Sequence, residues 1–246
     1  MADTRFRPLG DAALRIQIGE GIHPEVNRRV RAACAGLERA SLPGVVEWVP
    51  SYTAVTVYYQ PHVVRYDELC GKLDEAVAAG QDLPTPAAHE VTLPVLYGGL
   101  QGPDLGFVAQ QHRLSVEEVI DLHSRPDYLV YMIGFAPGFP YLGGLSERLA
   151  TPRLDNPRLS VPKGSVGIGG SQTGVYSVDS PGGWRLIGRT PIPLYDPTKE
   201  RPALLEAGDR VRFRPVSASE YADLEAAVKS KTHVVERRPL PEEAAR

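Results

Sequence analysis

Residues 159–188 read LSVPKGSVGIGGSQTGVYSVDSPGGWRLIG, short apolar runs set between glycines and prolines at intervals too brief for a helix. The same texture extends outward, with apolar runs at 128–135, 159–168, 173–178, 184–188 and 210–214, each bounded by turn residues. Such spacing predicts a β-barrel or sandwich. Composition agrees: 24 Gly and 23 Pro among 246 residues make about 19%, against a usual share of about 12%. Before this region, Val91–Tyr97 reads as a strand and Asp104–Ser124 as one or two helices. Asp104 is expected to cap the first, and Ser115 with Glu118 three residues on forms a capping box for the second. After it, residues 217–230 make a capped helix.

Further out, QDLPTPAAH at 81–89 is polar and proline-bearing and separates a different kind of chain. Leu14, Ile16 and Ile18 alternate at period two within 5–19, which predicts one or two strands. Val26, Val30, Ala33, Cys34 and Leu37 recur at helical spacing through His23–Ala40. Strands follow at Val45–Val49 and Ala54–Tyr59, and a second helix at Tyr66–Ala79, with Gly80 as its stop. Strand, helix, strand, strand, helix is most of a split βαβ unit. The expected class is α+β, with an N-terminal split-βαβ-like domain over 1–82, a β-barrel or sandwich domain over 83–230, and a loose, charged tail over 231–246.

Lys plus Arg number 27 and Asp plus Glu 30, a balance of −3 with no run of like charge, so no nucleic-acid partner is expected. No apolar stretch approaches about 18 residues, so no membrane span is expected either. MADTRFRPLG shows no apolar signal region, and a cytoplasmic protein is expected. Cys34 and Cys70 fall on the two helices as structural thiols.

Motif searches return little chemistry. GxxxxGK[ST] and GxGxxG are absent, the segment 170–173 lacks the closing glycine of a nucleophile elbow, and the six histidines show no metal-ligand spacing. No metal site and no catalytic residue is assigned. What stands out is GFAPGFPYLGG at 134–144, a shaped loop carrying Phe135, Phe139 and Tyr141. Beyond it, Arg153, Arg158, Lys163, Arg185 and Arg189 face only Asp155 and Asp179 between 150 and 190. Glycines permit close backbone approach and Arg offers a planar fork, so a small basic cleft for a small anionic ligand is implied.

YGGLQGPDL at 97–105, YMIGFAPGFPYLGGL at 131–145, LATPRLDNPRLSVPKGSVGIGGSQTGVYSVDSPGGWRLIGRTP at 149–191 and AGDRVRF at 207–213 resemble the KipI family, also called allophanate hydrolase subunit 1 or PxpB. The resemblance implies that the barrel is cyclophilin-like. It also implies an ATP-hydrolysing 5-oxoprolinase subunit, inactive alone, that opens 5-oxoproline to L-glutamate with a KipA/PxpC-like and a LamB/YcsF (PxpA)-like partner. ATP with Mg2+ would serve the assembly, none evidently bound by this chain alone. Family members are also named for a urea or allophanate carboxyltransferase or amidohydrolase role, and for inhibition of a sensor histidine kinase by binding it. By motif position, the resemblance suggests Phe135, Pro137, Gly138, Phe139 and Tyr141 as the pocket loop and Arg153, Arg158 and Lys163 as anion contacts. Gln172, Thr173 and Tyr176 would hydrogen-bond the ligand, and Gly182, Gly183, Trp184, Arg189 and Thr190 would form the rim.

Overall fold

The computed structural model describes residues 5–83 and 88–240, and these form two compact units, one before residue 84 and one over Ala88–Pro239. The centre of the 81–89 stretch and residues 241–246 of the tail lie outside the described residues.

In the first unit the order is β1 (Phe6–Pro8), β2 (Ala13–Gln17), α1 (Pro24–Ala40), β3 (Val45–Pro50), β4 (Ala54–Tyr59) and α2 (Tyr66–Gln81). The sheet order is β1-β2-β4-β3, every pair antiparallel, so β2 and β3 run parallel with β4 inserted between them. That is the split βαβ arrangement. Alternation along β2 and β4 turns Leu14, Ile16, Val55 and Val57 into one core with Val30, Leu37, Leu69 and Leu73 of the helices. Gly80 is not the stop of α2 but a buried residue inside it. A Cβ at Gly80 would strike the Ala32 carbonyl, and one at Gly36 the Ala76 carbonyl, so the two glycines let the helix backbones touch. Cys34 and Cys70 are both half-buried thiols outside any disulfide. Burial, assisted by the charge of Glu38, pushes the Cys34 thiol up to about 12, which keeps it protonated and unreactive.

The second unit contains β5 (His89–Tyr97), α3 (Leu105–His112), α4 (Val116–Ser124), β6 (Asp127–Ile133), β7 (Pro140–Gly143), β8 (Arg158–Val161), β9 (Ser165–Gly169), β10 (Gln172–Val175), β11 (Ser180–Gly182), β12 (Arg185–Arg189), β13 (Arg210–Pro215), α5 (Ala218–Lys229) and β14 (Arg237–Pro239). Seven strands close in the order β12-β9-β10-β7-β6-β13-β5, and β5 returns to β12 through Gly188 opposite Tyr97. A barrel results, filled by Leu93, Val130, Leu142, Val166, Ile168, Ile187 and Phe213. Its β5–β13 pair is parallel. Strands β8 and β11 pair separately as a two-stranded ribbon.

Ser115 and Glu118 make the expected capping box on α4. Asp104 precedes α3 without capping it. Its carboxylate instead accepts from Arg158 at 2.9 Å and from the Leu186 backbone N–H at 2.6 Å. The tail expected to be loose is tied down over part of its length: β14 pairs antiparallel with β5, and Arg237 lies 3.8 Å from buried Asp209. The outer edge of β5 offers unpaired backbone groups there, which the tail satisfies. Among the described residues no helix is long and apolar enough to cross a membrane.

Candidate binding cavity

The GFAPGFP loop joins β6 to β7 through two nested turns. Ala136 N–H donates to the Gly134 carbonyl at 2.8 Å around Phe135, whose φ of 66° gives the uncommon left-handed form of a three-residue turn. Phe139 N–H then donates to the Ala136 carbonyl at 3.0 Å, with Pro137 second and Gly138, φ 74°, third, the sequence a type II turn requires. Gly138 is packed against Tyr195, where its missing Cβ is needed. The loop thus brings Phe135 against Phe139 while Pro137 stays exposed.

Phe139 is the hub of an aromatic cluster. Phe135, Tyr141, Tyr176 and Trp184 all meet it edge to face, with centroids 5.3–5.7 Å away. Trp184 lies on a floor made by β9 and β10: a Cβ at Gly169 would come within 2.6 Å of the indole, and one at Gly174 within 3.0 Å. This corrects one reading of the sequence. Gly167, Gly169 and Gly174 of VGIGGSQTG form a seat for a tryptophan and are spent in the β-ladder rather than presented to a ligand.

The cluster surrounds a cavity of about 290 Å3 lined by Phe135, Phe139, Tyr141, Tyr176, Gly182, Gly183, Trp184 and Arg153, with Pro157 and Pro181 completing it. No sequence signal marks those two prolines for the site, although each sits beside a residue that is marked. The Arg153 guanidinium stacks over the Trp184 ring at 5.7 Å and is exposed at the mouth. Burial raises the Tyr176 phenol above its ordinary range, partly offset by a hydrogen bond from the Trp184 backbone and by the charges of Arg153 and Arg158. Tyr176 is therefore a neutral hydroxyl whose oxygen already accepts one bond, leaving its proton to donate. Gly182 lacks the Cβ that would collide with that hydroxyl.

The remaining candidates go elsewhere. Arg158 is occupied by Asp104 and by the Trp184 carbonyl at 3.2 Å, so it braces the cavity wall instead of facing a ligand. Thr173 is fully buried, donating to the Gly167 carbonyl at 3.0 Å and bonded to His123 Nε2 at 2.9 Å. His123 in turn meets the Tyr97 hydroxyl at 2.8 Å, and burial holds its imidazole down at about 3 and so neutral. Gln172 borders neither cavity, while Lys163, Arg189 and Thr190 line a second one. The single basic cleft expected from the sequence is thus two separate spaces, one aromatic and one basic. Among the described residues, no three His, Cys, Asp or Glu side chains converge as a metal site would need.

Residues 4–205 match the family described as carboxyltransferase domain, subdomain C and D. The chain is 45% identical over 227 residues to the 5-oxoprolinase B subunit of Bacillus subtilis, covering 88% of this chain and 95% of that protein. To the 5-oxoprolinase B subunit of Haemophilus influenzae it is 48% identical, covering 84% and 95%. The urea amidolyase crystal structure from K. lactis superimposes with a TM-score of 0.81 over 98% of this chain and 16% of that one. At 20% identity that likeness is one of fold alone.

Proposed function

The chain belongs to the carboxyltransferase subdomain C and D family, and we propose that it is the B subunit of an ATP-dependent 5-oxoprolinase, opening 5-oxoproline to L-glutamate. The observation that carries this reading is the 45% identity over 95% of the length of a protein bearing that name. The aromatic cavity suits the substrate. In this reading a five-membered lactam packs beside Phe139 and Trp184, its carboxylate pairs with Arg153 at the mouth, and its lactam carbonyl accepts a hydrogen bond from the Tyr176 hydroxyl. A donor at the carbonyl oxygen stabilises the charge that develops there as the ring opens.

The cavity holds no carboxylate, imidazole or thiol to act as base or nucleophile. Its donor set does not fit Mg2+, which takes carboxylate oxygens, and the chain has no phosphate loop. In this reading the nucleotide and the reacting groups come from partner chains, a KipA/PxpC-like and a LamB/YcsF-like subunit, and this chain binds and polarises the lactam. Glutamate release from 5-oxoproline with ATP, with each of the three proteins omitted in turn, tests the assignment. Activity only from the full set is the expected result. Turnover by this chain alone would sink the shared-site reading. A stable assembly inert toward 5-oxoproline but active on urea would replace the substrate.

A further inference from the structure

The second cavity, about 180 Å3, lies in the barrel unit between the segment 189–194 and α5. Its lining has a polar and an apolar side. Arg189 Nε donates to the Lys163 carbonyl at 2.9 Å, which fixes the guanidinium but leaves its outer N–H groups without a partner among the described residues. The Lys163 ammonium likewise meets no carboxylate among them. Ser177 is 4% exposed, and its hydroxyl has no hydrogen-bond partner among the described residues. A buried hydroxyl left unpaired costs about 1–3 kcal/mol, so it needs a reason to be there. On the apolar side stand Ile192, Leu194 and Val228. The Tyr221 ring closes the space, and the charges of both Arg189 and Glu225 bear on its phenol.

We propose that this cavity binds a small organic monocarboxylate, held between Arg189 and Lys163 with the Ser177 hydroxyl donating to it and its hydrocarbon body against Ile192, Leu194 and Val228. Two cations and an unpaired donor select an anion, and Arg matches the two oxygens of a carboxylate. The apolar side selects an organic body over an inorganic ion. Glu225, paired with Lys229 at 2.9 Å, places a negative charge in the lining and disfavours a second anionic group on the ligand. The site is distinct from the aromatic cavity, yet the two share a segment. Tyr176 lines one and Ser177 the other, and Gly164 of the basic cavity donates its N–H to the Tyr176 carbonyl at 2.6 Å. The basic cavity stands independently of the oxoprolinase reading.

The test is an NMR titration of the full chain with n-butyrate, with inorganic phosphate and n-butanol run in parallel. Expected is saturable movement of the amides of Lys163, Ser177 and Arg189 with butyrate, half complete at about 1 mM, and little with either control. Arg189→Gln should weaken butyrate at least about tenfold. If that variant does not give a folded spectrum, Lys163→Met, at an exposed position, takes its place. Ser177→Ala should weaken butyrate as well while leaving the urea midpoint unchanged or raised, because it removes an unpaired buried hydroxyl. No saturation by about 50 mM butyrate, phosphate binding as tight as butyrate, or undiminished affinity in a folded Arg189 or Lys163 variant would each overturn the proposal.

Discussion

The two units treat buried polarity differently. Among the described residues the first unit buries two polar side chains, Asn27 and Arg31, under a core of aliphatic residues, whereas the barrel buries eight, among them Asp104, His123, Thr173 and Asp209. In the first unit, packing and a close helix contact hold the fold. In the barrel, side chains tie loops that are distant in sequence, and several of these ties stand directly behind a cavity wall. Asp104 holds Leu186 and Arg158, and Arg158 holds the Trp184 carbonyl. The barrel's stability should therefore respond to charge and pH, and the first unit's chiefly to volume. The chain carries two tryptophans, Trp48 in the first unit and Trp184 in the barrel, so replacing either one by Phe makes the other a reporter of its own unit.

The largest effect is expected at Asp104. Asp104→Ala leaves the part-buried Arg158 guanidinium and the buried Leu186 N–H without their acceptor, and should cost the barrel about 3 kcal/mol in urea unfolding followed by Trp184. A loss below about 1 kcal/mol would show that water replaces the carboxylate and would remove the contrast between the units.

Next is acid sensitivity. His123 titrates near 6.5 when unfolded and at about 3 in the barrel, so between those values the unfolded chain binds the extra proton. Its contribution is complete above pH 6.5 and is lost as the pH falls toward 3, at about 1.4 kcal/mol per pH unit. Between about pH 6.5 and 4.5 the barrel should lose about 2 kcal/mol from this residue, and His123→Phe should lose that part of the slope. An unchanged slope in the variant would mean that His123 is not the group being charged.

The counterpart in the first unit is Gly36→Ala, whose methyl collides with the Ala76 carbonyl across the helix pair. Overpacking of this kind should cost about 2 kcal/mol, reported by Trp48 and constant between about pH 5 and 8. A pH-dependent loss would mean that charge, too, holds the helices together.

Much of this contrast follows from what a sequence displays locally. Periodicity places α1, β3, β4 and α2 of the first unit to within two residues, because their neighbours in the core are set by spacings of two, three and four. Gly80 reads as a stop because its reason for being glycine, Ala32, lies on another helix. In the barrel the apolar runs are legible, but closure depends on Tyr97 meeting Gly188 and on a parallel β5–β13 pair, which no local pattern announces. Asp104 reads as a cap because Arg158 stands 54 residues away. The cations between 150 and 190 suggest one cleft because their number is visible in the sequence and their directions are not. The cyclophilin-like barrel is an expectation from family motifs rather than from spacing.

The smallest effect tests the aromatic cavity against its own wall. Tyr176→Phe keeps the ring against Phe139 but takes the acceptor from the Trp184 backbone N–H, so barrel stability should fall by about 1 kcal/mol. If that hydroxyl donates to the lactam carbonyl as its charge develops, turnover by the assembled enzyme should fall about tenfold with the half-saturating 5-oxoproline concentration little changed. A rise in that concentration at constant turnover would instead make Tyr176 a ground-state contact. Arg153→Ala should behave in that second way, because a carboxylate held at the exposed mouth is bound equally before and during ring opening. Opposite signatures from two residues about one cavity would separate holding the substrate from activating it, and identical signatures would remove the role assigned to the Tyr176 proton.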